Sequence, residues 1–170
     1  NSEILTMASQ EYKTTLTGSK VVKGTADANR VVNVGNRIKN AAEKYYSSIG
    51  RQADLVNYAW EFNLIQDNQV NAWCMPGGKV AVYTGILPIT KNDTGLAVVM
   101  GHEVSHALAG HGNERISQQM IAQGIGQASG LAIRNEKTAS VFQALYPLGA
   151  QVALLKYGRN QELEADEMGL

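Results

Sequence analysis

Gly101-His102-Glu103-Val104-Ser105-His106 lies inside the apolar run from Leu96 to Leu108. A run of that length and composition reads as a helix, and on a helix residues four apart sit one turn above each other. His102 and His106 therefore aim their imidazoles at one point, with Glu103 about 100° round the axis. With this spacing two neutral imidazoles can hold Zn2+ while the carboxylate reaches a water on the metal. The chain has three histidines in all, so two of them at this spacing is a specific signal. The bland alternative is a buried helix with two hydrogen-bonded core histidines.

Fifteen basic and fifteen acidic residues balance in a chain of 170, leaving no net field to recruit nucleic acid or an anionic membrane. Hydrophobic residues at 44% and charged residues at 18% fit a globular chain with a real core, and the length fits one domain over residues 1–170. Cys74 is the single cysteine, which excludes an internal disulfide. The opening Asn1-Ser2-Glu3 lacks the basic and apolar regions of a secretory signal and an initiator Met, as in a mature or trimmed start. Asp166-Glu167-Met168-Gly169-Leu170 carries no C-cap, and the natural sequence is expected to continue past it.

Outward from the histidine helix, Asp93 or Thr94 is the expected N-cap, and Gly110 and Gly112 should end or bend it. Residues 1–26 are polar, with little periodicity, and read as a short helix and a loop. A packing helix follows from an N-cap at Asp27 to a stop near Gly50, with Val31, Val34, Ile38, Ala41, Ala42 and Tyr45 on its apolar stripe. Tyr58, Trp60, Phe62 and Leu64 alternate as in a strand with one buried face. Val70–Trp73 and Lys79–Tyr83 read as two further strands, separated by the Pro76-Gly77-Gly78 break. The sum is an α+β chain, a small and mostly antiparallel sheet packed on several helices. Ile116 to Ile133 reads as a glycine-weakened helix or flap. Val141 to Tyr157, interrupted by Pro147, reads as a buried core helix rather than a membrane span.

Catalytic zinc sites use three protein ligands and keep one position for water. The metzincin pattern would need Gly at position 109 and His at position 112, where Ala109 and Gly112 stand, so it fails. His111 lies about 900° round the helix from His102, on the opposite face unless Gly110 breaks the helix, and reads as a surface or packing histidine. The ordered acidic cluster downstream is Glu162-Leu163-Glu164-Ala165-Asp166. Glu162 and Asp166 share a helix face, whereas Glu164 points about 200° away from Glu162. One carboxylate of the pair can bind zinc while the other accepts the free N–H of a ligating histidine. Cys74 is a competing ligand, and a solvated acidic face is the plain alternative.

His102-Glu103-x-x-His106, Glu162-x-x-Ala165-Asp166 and the upstream Asn71-Ala72-x-x-x-Pro76-Gly77-Gly78 together resemble the gluzincin zinc metalloproteases that include the CAAX prenyl proteases and the bacterial heat-shock membrane protease, in their soluble or lipoprotein branch. The resemblance covers Trp60 to Leu170. It implies one Zn2+ per chain on His102, His106 and Glu162, a zincin-like active-site helix, Glu103 as general base and Asp166 as the partner of a histidine. It implies that the strand region from Asn71 and Ala72 binds substrate backbone, with Pro76, Gly77 and Gly78 at the rim of the cleft. An extended peptide or unfolded protein is then the expected substrate. The branch implies a periplasmic or membrane-attached bacterial protein whose anchor lies upstream of Asn1. Two departures stand out: Gly110 replaces the basic residue often found before the histidine at position 111, and no His-Pro element follows Asp166. The rival functions are an inactive zinc-holding homologue acting as a chaperone or assembly factor, and a metal-free structural helix bundle.

Overall fold

The computed structural model describes residues 2–111 and 159–169. The helices expected within Ile116–Ile133 and Val141–Tyr157 lie outside the described residues. Helix α1 (Ser2–Thr17) buries Ile4, Ala8, Tyr12 and Thr15, a stripe at helical spacing. The N-terminal region thus has more periodicity than the polar composition indicated. Strand β1 (Val21–Val22) and helix α2 (Ala26–Ser48) follow. Then come strands β2 (Glu61–Ile65), β3 (Ala72–Met75) and β4 (Lys79–Tyr83), and the short helix α3 (Leu87–Thr90). Helices α4 (Asp93–Leu108) and α5 (Arg159–Gly169) complete the described elements.

Both expected N-caps move by one or two residues. Thr25, not Asp27, caps α2, its Oγ1 accepting from the Ala28 N–H at 3.1 Å. Asn92, not Asp93 or Thr94, caps α4, its Oδ1 accepting from the Gly95 N–H at 2.9 Å. In each case the displaced aspartate sits in the first turn, where its charge still suits the helix dipole.

The strands form one sheet in the order β1-β2-β4-β3. Two of its three pairings are antiparallel; β2 and β4 run parallel, from Glu61 opposite Lys79 to Ile65 opposite Tyr83. The β3–β4 hairpin places β4 between β2 and β3, so β3 is an edge strand among the described residues. Strand β2 starts at Glu61 rather than Tyr58, and β3 runs Ala72–Met75 rather than Val70–Trp73. A sheet at the centre also removes the helix-bundle rival.

The sheet has helices on both faces. Trp73, Met75, Ala81, Tyr83 and Ile65 pack on Ile4, Ala8 and Tyr12 of α1. Ala72, Cys74, Val80, Val82 and Leu64 pack on Val31 and Val34 of α2 and on Leu96, Met100 and Val104 of α4. Successive residues of β3 and β4 therefore enter opposite cores, and both strands are buried along their whole length. Lys79 is 4% exposed and points to the α1 side, where Nζ meets Glu61 Oε1 at 2.7 Å and donates to the Ala59 carbonyl at 2.6 Å. Pro76-Gly77-Gly78 is the β3–β4 turn, with φ of 89° at Gly77 and 78° at Gly78. A Cβ on Gly78 would sit 2.4 Å from the Trp60 ring, so Gly78 is held both by its backbone and by that close contact.

Helix α4 is aimed by its start. A Cβ on Gly95 would lie 2.1 Å from the Thr90 carbonyl oxygen, a backbone atom with little room to move. Ala is the better helix former by about 1 kcal/mol, but overpacking against fixed atoms costs typically 1–3 kcal/mol or more. Gly95→Ala is therefore expected to lower stability by about 1–2 kcal/mol in chemical denaturation, and an increase in stability would contradict this packing.

Candidate metal centre

The second half of α4 carries the histidines, and its C-terminal carbonyls are tied down from two sides. Tyr46 Oη on α2 donates to the Leu108 carbonyl at 3.2 Å, and Tyr58 Oη to that of Ala107 at 3.5 Å. Helix α5 crosses α4 through small residues. Ala165 is fully buried, and a Cβ on Gly101 would lie 3.3 Å from the Gly169 carbonyl oxygen. This close approach of two backbones lets the acidic side chains of α5 reach the imidazoles of α4.

His102 Nε2 lies 3.0 Å from His106 Nε2 and 3.2 Å from Glu162 Oε2, and His106 Nε2 lies 3.5 Å from Glu162 Oε1. Ligand atoms each about 2.0–2.1 Å from one Zn2+ in tetrahedral geometry are separated by about 3.3 Å. The triangle of side-chain atoms thus has the size that one zinc ion requires. Among the described residues, His102, His106 and Glu162 are the one grouping of His, Cys, Asp and Glu able to hold a metal ion. Cys74 is not in it. That thiol is buried on β3, its pKa pushed up by burial and then by the charge of Glu103.

Asp166 Oδ1 accepts from His102 Nδ1 at 2.8 Å, one helical turn from Glu162 as its spacing indicated. That bond places the proton on Nδ1 and leaves the Nε2 lone pair facing the triangle. His106 is 2% exposed, and burial, followed by the neighbouring His102 and His111, lowers its pKa to about 4. It is neutral near pH 7, the form a metal needs. Glu103 is raised to about 8, first by burial and then by the Glu162 carboxylate. A cation in the triangle would favour the ionised form of Glu103 and oppose that shift.

Two residues lie nearer the site than ideal helix-face geometry placed them. Of the surface and packing alternatives His111 takes the second: it is 2% exposed, with Nδ1 2.9 Å from His106 Nδ1. Helix α4 stops at Leu108, and Gly110 takes a φ of 75°, so the chain reverses and brings His111 beneath His106. Glu164 does not point away from the site, because its Oε2 lies 3.1 Å from His111 Nε2. The signal for His111 is the Gly110 break, which invalidates counting rotation beyond Leu108, and Glu164 comes into the site through that histidine. Asn71 and Ala72 lie at the start of the edge strand, both buried. The Pro76-Gly77-Gly78 turn lies at its far end.

Two histidines and a glutamate on crossing helices, with a half-buried carboxylate beside them and a sheet edge alongside, define a site of metallopeptidase type. Residues 34–170 match Peptidase family M48, and the chain belongs to that family. It is 37% identical over 111 residues to the mitochondrial metalloendopeptidase OMA1 of Schizosaccharomyces pombe, covering 65% of this chain and 32% of that one. It is 32% identical over 138 residues to the OMA1 of Arabidopsis thaliana, covering 78% and 26%. It is 27% identical over 158 residues to the metalloprotease YcaL of Escherichia coli, covering 84% and 60%. The chain thus spans about a third or less of the two mitochondrial relatives.

These relatives correct the expected bacterial periplasmic address, since the higher identities are to mitochondrial proteins of a fungus and a plant. The address came from resemblance alone; the paired histidines and carboxylates report chemistry, not compartment.

The raised pKa of Glu103 has a measurable consequence. Without metal, the folded state keeps a proton that an unfolded Glu, with its ordinary value of 4.5, has released. Stability should therefore fall as pH rises from about 5 to 8, by up to ~1.4 kcal/mol per pH unit. His106 acts in the opposite sense between about 4 and 6.5, equally in wild type and variant. In chelator, Glu103→Gln is expected to melt above wild type by a margin that widens from pH 5 to 8. A margin independent of pH would contradict the raised pKa of Glu103.

Proposed function

We propose that this chain is a zinc-dependent endopeptidase in which His102, His106 and Glu162 hold one Zn2+ and Glu103 is the general base. The observation that carries this reading is the triangle of ligand atoms 3.0, 3.2 and 3.5 Å apart, with the half-buried Glu103 close enough to feel the Glu162 charge. Membership of Peptidase family M48 and the metalloendopeptidase names of the relatives support it. The match from residue 34 to the end of the chain, over elements that share one sheet, supports a single metalloprotease domain.

Zn2+ in the triangle would supply Lewis acidity, polarising the scissile carbonyl and lowering the pKa of a bound water toward about 7. Glu103 takes one proton from the attacking water as the water oxygen bonds to the carbonyl carbon. It passes that proton to the amine nitrogen as the C–N bond breaks. Asp166 keeps the His102 ring in the tautomer and orientation that ligation needs.

Substrate is held as an added strand on β3, whose outer edge is unpaired among the described residues. Backbone pairing selects extended conformation over particular side chains, so unfolded or damaged protein segments fit this cleft. Asn71 is 4% exposed, and its Nδ2 has no hydrogen-bond partner among the described residues, leaving a buried donor for a substrate carbonyl at the head of the strand. Pro76, Gly77 and Gly78 close the other end of the edge as its rim.

Glu103→Gln separates binding from chemistry. The variant is expected to keep about one zinc per chain by elemental analysis while hydrolysis of an unfolded protein falls about 10²- to 10⁴-fold. Glu162→Ala should lose the metal, and Cys74→Ser should keep it. Zinc loss in well-folded Glu103→Gln, or in Cys74→Ser with Glu162→Ala still loaded, would contradict this assignment of roles.

A further inference from the structure

The two histidines of α4 are not supported alike. His102 hands its Nδ1–H to Asp166 directly, at 2.8 Å. His106 Nδ1 faces another ring, His111 Nδ1, at 2.9 Å. Two imidazole nitrogens at that distance share one proton, and its place decides whether His106 can bind a metal. With the proton on His106 Nδ1, the Nε2 lone pair faces His102 and Glu162. With the proton on His111 Nδ1, a neutral His106 carries its hydrogen on Nε2, pointing into the triangle. The next contact outward selects between these. Glu164 Oε2 lies 3.1 Å from His111 Nε2 and, as a carboxylate, can only accept. A neutral His111 that donates from Nε2 has its lone pair on Nδ1, and must accept there from His106.

We propose that His111 and Glu164 are positioning residues that fix the metal-binding tautomer of His106, by a relay from His106 Nδ1–H to His111 Nδ1 and from His111 Nε2–H to Glu164. The inference rests on the zinc reading given above. Three residues of α5 then serve all three histidines: Glu162 faces the triangle, Asp166 holds His102, and Glu164 holds His106 through His111. His111 and His106 are each 2% exposed, so their bond is desolvated and its loss leaves a buried N–H without an acceptor. The Glu164 side chain is 57% exposed, so water replaces part of what it does and its removal costs less.

The test is zinc affinity by competition with a chromophoric chelator, with the absorption spectrum of the cobalt-substituted protein as second readout. His111→Asn keeps a side-chain oxygen near the place of Nδ1, whereas His111→Leu fills the space with no acceptor. His111→Leu is expected to weaken zinc binding about 10- to 100-fold and to change the cobalt bands, with His111→Asn recovering most of the loss. Glu164→Ala should cost roughly 3- to 10-fold, Glu164→Gln less, and Glu167→Gln on the same helix nothing. A role in packing alone predicts the reverse order, with Leu better tolerated than Asn. Wild-type affinity in His111→Leu, or Asn no better than Leu, would overturn the relay. If His111→Leu does not fold, Glu164→Ala against Glu164→Gln decides, and equal affinities there overturn it. Wild-type protein that binds no zinc would overturn both this inference and the reading beneath it.

Discussion

The site depends on how closely α4 and α5 approach. Helices pack at distances set by the side chains between them, and here those are Gly101, Ala165 and Gly169. A Cβ on Gly169 would lie 3.3 Å from the backbone nitrogen of His102. That contact puts the carboxylates of α5 within hydrogen-bond reach of rings on α4, although more than fifty residues separate them in the chain. Larger residues at these positions would separate the ligands without touching any of them. The rest of the fold holds α4 in place for this crossing. Its N-terminus is packed against Thr90, its middle against β3, and its last carbonyls against the hydroxyls of Tyr46 and Tyr58.

Burial sets the chemistry once the helices are in place. It lowers the pKa of His106, so that ring is neutral near neutral pH, and raises that of Glu103, so that side chain holds its proton until a nearby cation opposes the shift. Exposed ion pairs such as Arg51 with Asp54 belong to another scale, worth about 0–1 kcal/mol each. The buried contacts decide the architecture. Lys79 and Glu61 are the exception among the charged pairs, because Lys79 sits inside the core and would be stranded without its partner.

Periodicity in the sequence was enough for the elements whose burial is one-sided or whose motif is local. The histidine pair four apart on α4 and the Glu162–Asp166 spacing on α5 describe single helix faces, and each appears where the spacing places it; on α2 Val31, Val34 and Ala42 are buried as expected, whereas Ala41 and Tyr45 are exposed and Tyr46 takes the buried place. The strands were harder to delimit. Helices cover both faces of the sheet, so β3 and β4 are buried at every residue and alternation marks neither the ends of β3 nor the pairing, while β4 runs Lys79–Tyr83 as the Pro76-Gly77-Gly78 break indicated. The parallel β2–β4 pairing is a tertiary choice that no local pattern carries. The contact of His111 with His106 depends on the Gly110 break, which takes the chain off the helix one residue before His111, and Glu164 reaches the site only through that histidine, so neither is legible from the faces of single helices. The compartment was not legible at all, since nothing in the ligand pattern depends on it.

The central claim is that one zinc ion is held by two imidazoles and a carboxylate, with the buried thiol of Cys74 excluded. X-ray absorption at the zinc edge of the purified, zinc-loaded protein reads that first shell directly. The account predicts only nitrogen and oxygen scatterers, at about 2.0–2.2 Å, with the multiple-scattering pattern of two imidazoles. A sulfur scatterer near about 2.3 Å, or a shell with fewer than two imidazoles, would contradict it.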